Sequence, residues 1–244
     1  MDTIIQNTMA IKTVTIIGAT GLIGGHLVSF LENDREVETI RILVRRPVDF
    51  SNLKTETRLI NFNDEESFKL AIDGSDVVFC AVGTTQKKVK GDKEAYRRVD
   101  YDIPVKAARY CRETGCEKFM LVSSVGADSK SGSFYLQLNG KVEEAIMQTG
   151  IKQIGIFRPS ILLGRRPEKR PGEKIGQVLM QAFRFLLAGP LKKYKPFAAK
   201  DVALAMIIAS KHSYTGTKIF QYAEMKSLLP ENTTASIANP HPKQ

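Results

Sequence analysis

The chain has 244 residues, 43% of them hydrophobic, which is enough for one large α/β domain or two small ones. Its net charge of +10 sits in basic runs (87–93, 97–98, 165–174 and 192–200) without any Trp, so basic loops beside a polyanionic ligand explain it better than a nucleic-acid surface with stacking aromatics. No apolar run is long enough for a bilayer, the first twelve residues do not read as a secretory signal, and three cysteines without a C-x-x-C pair suit neither a disulfide framework nor a metal site. The expectation is a cytoplasmic, reduced protein with no membrane, metal or nucleic-acid partner.

The first predicted element is a strand over 14–17 that stops at Gly18. Glycines recur at Gly21 and Gly24, and an amphipathic pattern (Leu22, Ile23, Leu27, Val28, Leu31) predicts a helix over 22–33. Strand, tight turn and helix N-terminus in that order suit a dinucleotide, with glycine wherever a Cβ would keep a pyrophosphate from the backbone N–H groups. A plain tight βα turn is the competing reading, and the flanking elements weigh against it. Gly18, Thr20, Gly21, Leu22, Ile23 and Gly24 are therefore assigned to a cofactor.

The second strand, 39–44, runs into Arg45 and Arg46. An acidic residue there would bond a ribose 2′-hydroxyl and repel a 2′-phosphate, whereas guanidinium groups bind phosphate in forked geometry. NADP(H) is thus the expected cofactor, against the alternative of two solvent-facing arginines. A third strand, 57–61, closes on Asn61 and Phe62, placed for the edge and face of an adenine. A helix over 64–72 and a strand over 76–82 follow, and Ala81, Val82 and Gly83 supply small residues where the backbone passes close to the cofactor.

Next come a helix over 94–114, a strand over 118–123 ending in Ser123 and Ser124, and a helix over 134–149 that carries Tyr135. A strand over 153–157 then reaches Arg158 and Pro159. This alternation is the pattern of a doubly wound parallel sheet. Gly18, Arg45, Gly83, Ser124 and Arg158 should converge on its carboxyl edge, where such sheets bind ligands. Beyond Pro159 the sequence predicts a loop over 164–173, helices over 173–187 and 200–210, and a strand over 218–222. Residues 160–229 are read as a small C-terminal cap on a single domain over 13–229, with an arm at 1–12 and a poorly ordered tail at 230–244.

A Ser and a Tyr on adjacent elements at that edge can bond one carbonyl oxygen, the Tyr exchanging a proton as hydride moves to or from a nicotinamide. The same residues also fit an ordinary strand end and a boundary tyrosine. With GATGLIGG at 18–25, FCAVGTT at 79–85, YRRVDYD at 96–102, LVSSVGAD at 121–128, YLQLNGKVE at 135–143, FRPSILLG at 157–164 and RPGE at 170–173, the chain resembles the atypical short-chain dehydrogenases/reductases of Rossmann fold. Within them it is similar to the Tat-interacting-protein oxidoreductases and NmrA-like proteins.

The resemblance implies a substrate-positioning role for Ser124, an acid/base role for Tyr135, and cofactor contacts by Ser123 and Pro159. It also implies a lysine four residues after the tyrosine, which binds the nicotinamide ribose and favours tyrosinate. Here that position is Asn139. The nearby Lys141 lies six residues after Tyr135, roughly 120° around a helix. Asn139 is expected to keep the ribose hydrogen bonds without the charge. Two functions follow: an NADP(H)-binding oxidoreductase acting on a small carbonyl or alcohol, or a non-catalytic NADP(H)-dependent regulator with a protein partner.

Overall fold

The computed structural model describes residues 11–85, 89–164 and 189–230. The helix expected over 173–187, RPGE at 170–173, most of the N-terminal arm and nearly all of the tail lie outside these residues. Seven parallel strands form one sheet in the order β3-β2-β1-β4-β5-β6-β9. These are β1 (Thr13–Ile17), β2 (Thr39–Val44), β3 (Thr55–Leu59), β4 (Val77–Cys80), β5 (Lys118–Val122), β6 (Gln153–Phe157) and β9 (Gly216–Phe220). The chain starts at β1, winds outward to β3, then returns to β4 on the other side of β1. The crevice at that reversal is where an open α/β sheet binds its ligand.

Alternation along the strands builds two cores, one on each face. Val14, Ile16, Ile40, Ile42, Val77 and Phe79 pack against Leu27, Val28 and Leu31 of α1 (Leu22–Glu32) and Val202, Ala203 and Met206 of α6 (Ala199–Lys211). Ile17, Leu43, Val78, Cys80, Phe119 and Ile154 face the opposite way. They pack against α2 (Glu65–Ile72), α4 (Ile103–Glu113) and α5 (Phe134–Met147). Both faces being covered explains why the inner strands β1, β2, β4, β5 and β6 read as largely apolar runs.

Two differences from the sequence reading have physical causes. The helix expected over 94–114 is three segments: α3 (Lys93–Arg97), a π-helical turn (Arg98–Asp102) and α4. Pro104 lacks the N–H that would bond the carbonyl of Asp100, so a regular α-helix cannot run through. Second, part of the segment read as a cap over 160–229 belongs to the main sheet. The strand foreseen over 218–222 is β9, which pairs with β6 as the seventh strand of the main sheet, and α6 covers that sheet beside α1.

At the amino edge Lys118 and Gln153 are buried and donate to the last carbonyls of α6, Ser210 O at 2.9 Å and Ala209 O at 3.2 Å. Burial lowers the Lys118 amine below its usual range, while its position at a helix C-terminus suits a cation. Among the described residues the rest of that segment holds β7 (Leu162–Leu163), a 3₁₀ turn (Gly189–Tyr194), β8 (Phe197–Ala198) and α7 (Tyr222–Leu228).

Candidate functional site at the carboxyl edge

The glycines of the first turn divide the work. Gly18 has φ +92, and a Cβ there would lie 2.6 Å from the backbone of Ala81. A Cβ on Gly24 would lie 2.0 Å from Gly18 O. Both are required by the protein's own packing: β4 and the first turn of α1 press directly on the turn. At Gly21 a Cβ would meet only Gly18 O at 3.1 Å and Ala81 O at 3.8 Å, and its φ of −82 suits any residue. Beyond that tight contact with Gly18 O, the space at Gly21 is open among the described residues and can take a ligand.

Gly21 is also the N-cap of α1. No side chain caps the helix, and its first turn holds no acidic residue. The amides of Leu22, Ile23 and Gly24 are therefore presented to an anion. Thr20 and Gly21 are exposed, while the Ile23 side chain is buried, so Ile23 contributes only its backbone. The residues fit the phosphates of a dinucleotide.

Arg45 and Arg46 follow β2, both exposed, with no carboxylate partner among the described residues. Ala81 and Val82 are half-buried and Gly83 is exposed after β4. Asn61 is exposed at the end of β3, its Oδ1 taken by the Asn63 amide at 3.0 Å. Phe62 departs from expectation. Its ring is 9% exposed and meets Phe68 edge-on at 4.9 Å, so it belongs to the core and offers no face to an adenine.

On the other side of the crevice, Ser123 and Ser124 separate. The Ser123 hydroxyl is buried and donates to Glu143 of α5, which also forms a bidentate ion pair with Arg158, Nε to Oε1 being 2.9 Å. The Ser123 side chain is thus turned away from any cofactor, correcting the role expected for it. Ser124 is half-buried, its hydroxyl 3.4 Å from the adjacent Val125 carbonyl and otherwise available.

The loop that follows is tied to Pro159 O by the Val125 amide at 3.0 Å and to Leu136 O by the Asp128 amide at 3.2 Å. It therefore runs from Ser124 to the first turn of α5, beside Tyr135, whose side chain is exposed. Pro159 itself is buried and keeps its carbonyl on Val125.

Tyr135, Asn139 and Glu143 form one stripe along α5 at i, i+4 and i+8. The Asn139 amide donates to Tyr135 O at 2.8 Å. One of its donors is spent on its own helix, which leaves Oδ1 and the second N–H for a ribose. Lys141 lines a groove of about 350 Å³ with Arg97, Tyr101, Phe134 and Gln137, a different face of α5 from the Tyr135 stripe. The lysine of the family pattern is not replaced by Lys141.

Glu143 escaped the sequence reading, although a carboxylate between the apolar Val142 and Ile146 and an arginine ending an apolar strand each hint at a buried partner. Asp100 escaped it too, and Pro104 was the available signal.

These features define an NAD(P)-binding Rossmann-type domain. The sequence profile described as NAD(P)H-binding matches residues 18–162. Protein FMP52, mitochondrial, of Candida albicans is 34% identical over 207 residues, spanning 82% of this chain and 89% of that one. Protein HTATIP2 of Rattus norvegicus is 35% identical over 167 residues, 66% of this chain and 67% of that one. The chain belongs to this NAD(P)H-binding, oxidoreductase-like family. Among solved structures, MoeE5 in complex with UDP-glucose and NAD has a TM-score of 0.65 at 17% identity, covering 93% of this chain and 82% of that one. Uronate dehydrogenase from Agrobacterium tumefaciens reaches 0.67 at 13% identity over 96% and 92%. At such identities these likenesses speak for the fold alone.

Gly21→Val is expected to fold and to lose cofactor binding, because its branched side chain enters the open space above the turn. Gly24→Ala, whose Cβ would be forced onto Gly18 O, is expected to melt lower as well. Circular dichroism melting with NADPH titration separates the two. Normal NADPH binding by folded Gly21→Val would place the phosphates elsewhere.

Proposed function

We propose that the protein is an NADP(H)-dependent oxidoreductase acting on a small carbonyl or alcohol. The observation that carries this reading is the available Ser124 hydroxyl, joined by a tied loop to the helix turn that presents Tyr135, across the crevice from the uncapped α1 N-terminus. The bound dinucleotide supplies or accepts the hydride. In reduction, Ser124 donates a hydrogen bond to the substrate oxygen and Tyr135 gives it the proton as the C–H bond forms; oxidation returns the proton to Tyr135. In this reading the compartment is cytoplasmic and reducing, a setting in which buried thiols such as Cys80, Cys111 and Cys116 stay free.

Selectivity for NADP(H) in this reading rests on Arg45 and Arg46, which are exposed at the end of β2 and form no ion pair among the described residues. Loss of one charge-assisted phosphate contact costs about 1.5–3 kcal/mol. Arg45→Ala with Arg46→Ala should therefore weaken NADPH at least about tenfold while sparing NADH. Calorimetric titration of both cofactors is the test. Equal wild-type affinities, or a preference that survives the double substitution, would remove NADP specificity from this reading.

One observation favours a second reading, an NADP(H)-dependent regulator without turnover. Asn139 spends a donor on its own helix, and Lys141 lies on another face of α5. Among the described residues, the stripe beside Tyr135 then has the form of a redox site without the cation that promotes proton transfer.

A further inference from the structure

Asp100 occupies the middle of the π-helical turn between α3 and α4, and nothing above gives it a role. Its two carboxylate oxygens accept the backbone N–H of Thr84 at 2.9 and 3.2 Å. A Cβ on Gly83 would lie 3.6 Å from Oδ1. The segment it grips is the wall of the dinucleotide crevice, since Gly18 and Gly21 both lie against Ala81. A carboxylate is therefore built into the back of a site suited to a polyanion. Turns of π type recur where a helix places one side chain at a working site.

The surrounding charges leave it unpaired among the described residues. On its own turn and on α3, Arg97 reaches Asp102 at 3.8 Å and stacks over Tyr101, and Arg98 reaches Asp92 at 3.9 Å. From β4 the neighbour is Cys80, whose thiol is pushed up by burial and by the Asp100 charge. From α5, Lys141 sits in the groove with Arg97 and Tyr101, and Tyr135 lies on another stripe.

We propose that Asp100 is a positioning residue of the dinucleotide site whose charge sets cofactor affinity, so that binding takes up a proton at this carboxyl. The proposal rests on the reading that NADP(H) binds at the glycine turn. Burial raises the Asp100 carboxyl to about 7, against the opposing pull of the Thr84 amide. A polyanion at the wall raises it further, because like charge disfavours the ionised form. By linkage, the protonated protein binds the cofactor more tightly, and affinity falls as pH rises through about 7.

The experiment is NADPH titration by calorimetry from about pH 6 to pH 8.5, for wild type and Asp100→Asn. Asparagine keeps an acceptor for Thr84 and removes the charge. The 2′-phosphate titrates alike in both proteins, so their difference belongs to Asp100. The expected result is a wild-type affinity that drops about tenfold more than that of the variant, the fold-change that goes with a tenfold change in acidity. The variant should bind at high pH as wild type does at low pH. Independently of any variant, wild-type binding at pH 7 in two buffers of different ionisation enthalpy should reveal proton uptake. Parallel pH profiles, or no proton uptake, overturn the role of Asp100 while leaving the cofactor site standing. Failure of wild type to bind NADPH or NADH at any pH overturns both.

Discussion

Glu143→Ala is expected to destabilise the fold by about 3–5 kcal/mol, the cost of removing one partner from a buried ion pair. For a domain of this size that lowers Tm by roughly 6–20 °C. The side chain of Glu143 is 2% exposed and that of Arg158 19%, so water does little to screen the pair. Three elements meet at this carboxylate: α5 carries it, Ser123 at the end of β5 donates to it, and Arg158 at the end of β6 forks onto it. Alanine strands a guanidinium and a hydroxyl together.

Two further variants separate charge from packing. Glu143→Gln keeps an acceptor for Ser123 and should lose less than alanine. Glu143→Leu combined with Arg158→Met replaces both charges with volume, and should recover most of the loss, as buried pairs commonly do when exchanged whole. Thermal and denaturant melts of the four proteins decide the matter. An alanine variant within about 1 kcal/mol of wild type, the range of an exposed pair, would show that water reaches this network.

The inner strands were legible because they are buried on both faces, and continuous apolar runs ending at one edge leave few other topologies. β9 was harder to place. Its residues 216–219 are exposed at the sheet margin, so no apolar alternation tied GTKIF to the strands before Pro159, and it was assigned to a cap. The turn was legible where backbone conformation decides it, as at Gly18 and Gly24, whereas Arg45 and Arg46 stand exposed after β2 and their contact with a 2′-phosphate belongs to the proposal.

The site was illegible where one side chain chooses between two neighbours. Phe62 had a core to fill and an adenine to face, and the core took it against Phe68. Ser123 and Ser124 are identical in sequence terms, yet strand alternation turns one onto Glu143 and leaves the other available. Spacing correctly put Lys141 off the Tyr135 stripe. It carried no information on the Asn139 amide bonding back to Tyr135 O, which is a local competition between side chain and backbone.

Tyr135→Phe is expected to cut carbonyl reduction by about 10²–10⁴-fold, the contribution of a positioned general acid, while leaving NADPH affinity unchanged. Asn139→Lys should act in the opposite direction. It restores a cation one helical turn from Tyr135 and frees the carbonyl of residue 135 from the Asn amide. Turnover should rise, and the oxidation profile should move to lower pH, since a neighbouring cation favours tyrosinate. Lys141→Ala serves as the control, its side chain lying in the groove with Arg97 and Gln137, and should change neither rate nor profile. The assay is NADPH consumption and NADP⁺ reduction over a panel of aldehydes, ketones and alcohols. Activity that collapses in Lys141→Ala and ignores Asn139→Lys would mean that the working cation approaches from the groove. If every variant binds NADPH tightly and none turns over, the regulator reading takes the place of the oxidoreductase, and Tyr135 is a boundary tyrosine after all.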